Sequence, residues 1–429
     1  MSRLAAVVDP LLTRERLRVY PWILLCGAGL ALFVSLIVGT TQGLWPDYSA
    51  RWTAGRLLLT GHLDQLYDPA VQASLQHGEL GTSGLSWFVS PPFVAGLFAP
   101  LATLPYALSC AVWTVSSLAS LLLALKLLRP WAPPVLASRW RLFVVIVCSS
   151  YPVVELVGGG QDTAVVLLAV VAGMRLVEAG HLLTGGALLA LGCMKPQLVF
   201  LIPLLLLVQR RFRAVAGFLG TVLLLLTASL LMVGVDGVGQ WLRLPTSPHY
   251  VQAVQLDQAW KSVSASAWLT AVAPSSWGST WQSLATAAGL VLVIPGLRAM
   301  RGARPSSATG WVITLTTTVV ASPHVMAYDL VLLIPAVVLL AGLAWTAATR
   351  TALAGIYTLS WTITPLHALA GAWPWPLDVV GSPWVAVPLV VLWASALSPG
   401  PRRVAQPRSS AEAMPPYLPT TQSQQDPGT

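Results

Sequence analysis

Long apolar runs separated by short polar segments fill most of the chain. Many of the runs are roughly 17–25 residues long, which is the length an α-helix needs to cross a bilayer. The pattern therefore predicts an all-α polytopic membrane protein with about twelve transmembrane helices. The predicted crossings are residues 21–40, 106–128, 142–157, 163–176, 182–194, 197–208, 214–233, 281–297, 309–321, 326–343, 351–366 and 384–397.

The first long polar segment, residues 41–88, is predicted to be an external loop that carries two short interfacial helices. One covers residues 48–59. The other covers residues 69–80, because Asp68 is a favourable N-cap and Pro69 fits the first helical position. Residues 86–105 are apolar but contain four prolines, which favours a re-entrant or tilted half-span over a full crossing.

Charge supports this topology and excludes nucleic-acid binding as the explanation for the net charge of +9. Only 9% of the residues are charged, against about 25% in soluble domains, and basic residues of membrane proteins collect in cytoplasmic loops. Twelve crossings place both termini in the cytoplasm: a tail of residues 1–20, a membrane domain of residues 21–397, and a Pro- and Ser-rich tail of residues 398–429 that is predicted to be disordered. All but five of the 24 Lys and Arg residues then lie inside. The predicted location is the plasma (inner) membrane.

The cysteines do not indicate a metal site or a disulfide framework, because Cys26, Cys110, Cys148 and Cys193 are scattered through apolar stretches. We interpret them as small buried hydrophobic residues. No cofactor is expected. Asp64 and Asp68, four residues apart, fit capping and solvation better than substrate contact.

Asp47 is the first candidate for chemistry. It follows the first predicted crossing, and a carboxylate at the mouth of a membrane span is costly unless it has a task. Arg51 and Arg56 follow within about three helical turns. They are candidates for binding an anionic substrate, and attraction to anionic lipid headgroups is the alternative.

Lys195 is the strongest candidate for a phosphate-binding cation. It interrupts an apolar stretch, precedes Pro196, and lies at a predicted external helix break, where unpaired N–H groups often mark binding sites. Lys126 ends a span on the cytoplasmic side and Lys261 lies in a polar loop, so both rank lower. The alternative is that Lys195 snorkels to the membrane interface.

Two further turns are predicted on the same face. Gln161 and Asp162 follow three glycines, which allow a ligand to approach the backbone; alternatively, Asp162 is simply an N-cap. His324 and Tyr328 follow a Ser-Pro break and are candidates for contacts with a sugar or a phosphate. Asp329 fits substrate contact and pairing with a buried partner equally well.

The chain resembles a known family over roughly residues 20–345. The resemblance rests on PDYSARWTAGRLLLTGHLDQLYDP, VSPPFVAGLFAPLATLP, GGGQDTAVVLL, GALLALGCMKPQLVFLIPLLLLVQRRFRA and SPHVMAYDLVLLIP, in this order and spacing. Together they are similar to the polyprenyl-phosphate-mannose-type glycosyltransferases of family 87, which have the GT-C fold.

The resemblance implies a sugar, most often mannose, carried on a polyprenyl phosphate and transferred with inversion on the external face to a glycolipid or glycan acceptor. It also implies that Asp47, an aspartate in the first external loop, is the general base. Two other functions are compatible with the sequence. A transporter or flippase for lipid-linked glycans should show an internal repeat or mid-membrane charges, and the sequence contains no convincing repeat. A catalytically silent membrane scaffold is the other.

Overall fold

The computed structural model describes residues 13–38, 46–82, 84–302, 308–343 and 345–397. The predicted disordered tail 398–429, residues 1–12 of the N-terminal tail and residues 41–45 of the first loop lie outside these ranges. Within them the regular elements are helices, together with one isolated antiparallel bridge between Ser262 and Met326. The prediction of an all-α protein is confirmed for the described part of the chain.

Helices of at least seven residues follow one another with short connections. They are Arg14–Val38, Pro46–Leu59, Pro69–Leu80, Pro92–Ala102, Tyr106–Leu128, Trp140–Cys148, Tyr151–Gly159, Thr163–Glu178, Leu182–Ala190, Ile202–Val208, Phe212–Arg243, Ala265–Ala271, Gly278–Val291, Val293–Gly302, Ala308–Ala321, Ala327–Leu333, Ile334–Leu343, Ala347–Ser360, Ile363–Ala370 and Ala386–Leu397.

Three of the described helical stretches are long and apolar enough to cross a membrane: Tyr106–Trp131, Phe212–Thr246 and Gly278–Gly302. A fourth is possible if Trp140–Cys148 and Tyr151–Gly159, which meet at 55°, form one bent span. Other predicted crossings correspond to shorter apolar helices. The count of twelve crossings and the GT-C arrangement stay predictions.

The helix Pro46–Leu59 differs from the interfacial helix that its mixed composition predicts. Most of its residues are buried inside the protein, with Tyr48 fully buried and Trp52 only 4% exposed. The Tyr48 ring lies 6.0 Å from Trp113, and a Cβ on Gly55 would lie 2.8 Å from the Phe98 backbone. The helix therefore packs against its neighbours, and Gly55 allows the close approach to Phe98 because it has no side chain.

The second helix of this segment is confirmed at Pro69–Leu80. The Asp68 carboxylate accepts hydrogen bonds from the backbone N–H groups of Ala70 and Val71, at 2.8 and 3.3 Å. Two buried amides on the same helix hold the chain that follows it. Gln72 accepts from the N–H of Phe88 at 2.7 Å, and Gln76 accepts from the N–H of Ser86 at 3.0 Å.

Residues 86–105, predicted as a half-span, begin as this extended segment and continue as the helix Pro92–Ala102. The prolines account for the change, since Pro91 and Pro92 have no backbone N–H to donate. The extended part, residues 86–90, forms one wall of the cavity described below.

Glycines set the closest helix crossing, between Leu182–Ala190 and Phe212–Arg243. A Cβ on Gly217 would overlap the carbonyl oxygen of Leu183, and one on Gly186 would overlap that of Ala214. The backbones can meet here only because neither position carries a side chain.

We expect Gly217→Ala to lower the free energy of unfolding by about 1–3 kcal/mol, because the added methyl group must push the two helices apart. The measurement is thermal unfolding of the full chain in detergent. Gly220→Ala is the matched control: it lies one turn further along the same helix, is exposed, and has nothing within 4 Å of its Cβ position. Equal melting temperatures for the two variants would contradict the crossing geometry.

Candidate functional site

One cavity of about 860 Å³ lies where several segments of the chain meet. The main segments are the start of the helix Pro46–Leu59, residues 84–91, the turn that carries Gln161, the helix break at residues 194–197, residues 241–261, and residues 323–329. The candidates from the sequence that line it are Asp47, Arg51, Gln161, Lys195, His324, Tyr328 and Asp329.

A buried ionic network forms the floor of the cavity. The Arg51 guanidinium binds both carboxylate oxygens of Asp162, at 2.9 and 3.0 Å. The Lys195 ammonium lies 3.3 Å from the Asp162 carboxylate and 3.0 Å from Asp329. Asp162 is fully buried and Lys195 is 6% exposed. Two cations and two carboxylates therefore balance one another inside the protein.

The network excludes snorkelling as the role of Lys195 and helix capping as the role of Asp162. Lys195 does not snorkel, because its ammonium points inward and also donates to Gln161 Oε1 at 3.1 Å and to Thr163 Oγ1 at 2.8 Å. Asp162 stands before the helix Thr163–Glu178, but its side chain accepts no capping hydrogen bond from the helix backbone. Asp329 pairs with the buried Lys195, which is one of the two roles that the sequence allowed.

Local backbone geometry delivers these side chains to one place. Gly160 has a φ of 70°, which glycine adopts without strain, and its carbonyl accepts a hydrogen bond from the Trp113 indole at 2.9 Å. This turn sets Gln161 and Asp162 against the cavity. Lys195 lies between two short 3₁₀ segments, Leu191–Met194 and Pro196–Leu198, because Pro196 cannot continue a helix.

Charge stabilises the ionised form of Asp162. Burial alone would raise the pKa of the carboxyl, but the adjacent Arg51 and Lys195 outweigh it and lower the pKa to about 2. The carboxylate therefore keeps its charge at neutral pH. Its contribution to stability is present above the ordinary pKa of an aspartate and is lost as the pH falls towards 2.

Asp47 presents its carboxylate to the same cavity. The Gln161 side-chain amide donates a hydrogen bond to Asp47 Oδ2, and Arg51 donates to the Asp47 carbonyl oxygen at 2.8 Å. Gly159 leaves room for the approach, since a Cβ there would lie 3.2 Å from Asp47 Oδ2. Among the described residues no cation lies within ion-pair distance of Asp47.

His324 and Tyr328 also line the cavity. The Lys195 ammonium lies 4.5 Å from the centroid of the Tyr328 ring. Burial lowers the pKa of His324 and outweighs the attraction of Asp329, so the imidazole is neutral at pH 7. A neutral imidazole can both donate and accept hydrogen bonds to hydroxyl groups.

Arg56 does not join the site. Its guanidinium pairs with Glu79 at 3.1 Å on the protein surface and lies 5.5 Å from the Trp52 ring. The reason is helical geometry: five residues after Arg51, the helix has turned by about 140° beyond one full revolution. Arg56 therefore leaves from a different face than Arg51.

Sequence reasoning missed Trp87, His249 and Tyr250 and ranked Lys261 below Lys195. All four line the cavity, and the Trp87 ring lies 5.0 Å from His249. No local pattern marks these residues, because they lie in short helical turns and connecting segments that the fold brings together. In the described part of the chain, no three His, Cys, Asp or Glu side chains converge where they could hold a metal ion.

Comparison with known proteins gives one match. A model of glycosyltransferase family 87 matches residues 88–323, more than half of the 429 residues. Searches among curated proteins and among solved structures find no match for the chain. The matched range includes Gln161, Lys195, His249, Tyr250 and Lys261 of the cavity lining. The chain belongs to glycosyltransferase family 87.

Proposed function

We propose that this glycosyltransferase moves a sugar, mannose in the first instance, from a polyprenyl-phosphate donor to a hydroxyl group of a glycolipid or glycan acceptor. The reaction takes place on the external face of the plasma membrane and inverts the anomeric carbon. Asp47 is the general base. The observation that carries the proposal is a carboxylate that faces a large cavity, is oriented by Gln161, and has no ion-pair partner among the described residues.

The chemistry needs only one such group. A lipid phosphate is already a good leaving group, so the remaining task is to remove the proton from the acceptor hydroxyl as its oxygen attacks the anomeric carbon. A positioned base is typically worth roughly 10²–10⁴ in rate. Asp47 accepts one hydrogen bond from Gln161, which fixes its direction and leaves its second carboxylate oxygen for the hydroxyl.

The far wall of the cavity supports a lipid-linked donor. Trp241, Leu242 and Pro245 line it, at the end of the apolar stretch Phe212–Thr246. Leu242 is 64% exposed, and Val235, which follows the kink at Gly234 in the same stretch, is also exposed. Apolar side chains exposed on a membrane-spanning helix contact lipid, so a polyprenyl chain can reach the cavity along this surface without crossing water.

Lys195 and Arg51 take part as positioning residues. Both donate to Gln161 Oε1, at 3.1 and 3.3 Å, and so turn its amide N–H towards Asp47. Their charges also offset those of Asp162 and Asp329 beside the donor site. His324 and Tyr328 line the same cavity, where they can form hydrogen bonds with the hydroxyl groups of a sugar.

We expect Asp47→Asn to reduce sugar transfer by at least about 10²-fold, because an amide cannot accept the hydroxyl proton. Expression should not change, since asparagine preserves the size of the side chain, and donor binding should not weaken, since the substitution removes a negative charge from the cavity. The measurement is transfer from labelled polyprenyl-phosphate sugars to membrane acceptors, with identification of the product. Asp64→Asn is the matched control, as Asp64 is exposed and does not line the cavity. Retained turnover in Asp47→Asn would exclude Asp47 as the base.

We expect Lys195→Ala to weaken donor binding and to lower the free energy of unfolding by about 3–5 kcal/mol, because it leaves two carboxylates buried beside the cavity with one cation. Thermal unfolding and donor titration measure the two effects. Adding Asp329→Asn should recover part of the lost stability, since the uncompensated charge is removed. Unchanged donor affinity in Lys195→Ala would show that this network does not contribute to donor binding.

A further inference from the structure

Three Lys and Arg side chains line the cavity, and two of them are already neutralised. Arg51 pairs with Asp162, and Lys195 pairs with Asp162 and Asp329. The third is Lys261. In the described part of the chain, its ammonium has no hydrogen-bond partner and no carboxylate within 4.0 Å.

The difference between Lys261 and the two paired cations matters because of the net charge of the other cavity residues. Arg51 and Lys195 are balanced by Asp162 and Asp329, so Asp47 gives the paired part of the site a net negative charge. A phosphate group that enters the cavity is repelled by that charge unless another cation lies nearby. The neutral imidazole of His324 does not supply one.

The backbone fixes the place of Lys261. The bridge between Ser262 and Met326 and the hydrogen bond from Val263 N–H to the Val325 carbonyl, at 2.8 Å, join its loop to the segment that carries Tyr328. Ser262 and Val263, which make these two contacts, are the residues directly after Lys261. The backbone next to Lys261 is therefore attached to the segment that carries His324 and Tyr328, which also line the cavity.

The side chain of Lys261 forms a cation–π contact with Trp260. Its ammonium lies 5.0 Å from the centroid of the Trp260 ring, and that ring stacks on His367 with centroids 4.0 Å apart and planes 5° apart. Glu155 interacts with Lys261 electrostatically from beyond ion-pair distance. The ammonium is held in position and keeps its donors available for a ligand.

We propose that Lys261 binds the phosphate of the lipid-linked donor and neutralises the charge that develops on it as the sugar leaves. This inference rests on the proposed function, since it names the residue that holds the donor phosphate within the same site. It assigns the direct phosphate contact to Lys261 and the positioning of Gln161 to Lys195.

The bond changes show why a cation is needed there. The acceptor oxygen forms a bond to the anomeric carbon and passes its proton to Asp47, while the bond from that carbon to the phosphate oxygen breaks. Its electron pair stays on the phosphate, which changes from a singly charged diester to a monoester with one more negative charge. Lys261 keeps its proton throughout and donates hydrogen bonds that strengthen as the charge grows.

The test measures binding without any transfer. The purified full chain in detergent is titrated with a short-chain isoprenyl phosphate and, separately, with the matching isoprenyl alcohol. Lys261→Met should weaken binding of the phosphate by at least about tenfold, as expected for the loss of a charge-assisted contact, and should leave binding of the alcohol unchanged. Lys261→Arg should stay close to the unmodified chain.

Lys126→Met is the matched control, because Lys126 is exposed at the end of the helix Tyr106–Leu128 and lies outside the cavity. Unchanged melting temperature and alcohol binding show that Lys261→Met is folded. If that variant binds the phosphate as well as the unmodified chain does, the inference is wrong and the proposed function stands. If the unmodified chain binds the phosphate no better than the alcohol, the lipid-phosphate donor itself is wrong, and the role of Lys261 falls with it.

Discussion

The buried carboxylate of Asp162 between Arg51 and Lys195 is the interaction on which the site depends. Isolated charges cannot be buried without a large penalty, and these are tolerated because each meets an opposite charge in hydrogen-bonding geometry. The network joins the helix Pro46–Leu59, the turn at Gly160 and the helix break at Lys195, which are far apart in the sequence. It also holds Gln161, and through Gln161 it orients Asp47. The geometry of the proposed base is thus a consequence of charge pairing beneath it.

The sequence predicted where the chain would bend better than it predicted what the bends would bring together. Three glycines before Gln161 and a proline after Lys195 have local effects on the backbone, so both turns could be anticipated. The pairing of Lys195 with Asp162 and Asp329 depends on tertiary contacts, and no spacing in the chain encodes it. The same limit explains why Lys261 was ranked low: nothing in its polar segment indicates that the fold places it in the lining of the cavity.

Two differences from the sequence predictions have clear physical causes. The helix Pro46–Leu59 has too little apolar character for a core helix, yet it is largely buried. Tyr48 and Trp52 pack against aromatic neighbours, and Gly55 lets a neighbouring helix approach closely. Tertiary packing overrides composition here. Arg51 and Arg56 looked equivalent as cations near Asp47, but helical rotation sends one into the cavity and the other to Glu79. Twelve crossings were inferred from the apolar runs and the distribution of charge, and the helices broken at residues 191–198 and 327–333 show how proline and 3₁₀ turns shorten such runs.

A lysine within an apolar stretch is an ambiguous signal, and the structure separates its two meanings. Burial makes the charge costly, so the protein surrounds it with carboxylates, and those carboxylates remove the positive potential that a phosphate would need. This is the state of Lys195. A lysine in a polar loop has no such cost and needs no internal partner, so its charge stays available when the fold carries it to a cavity. The cation best suited to bind an anionic substrate is therefore the one whose sequence surroundings are the less conspicuous.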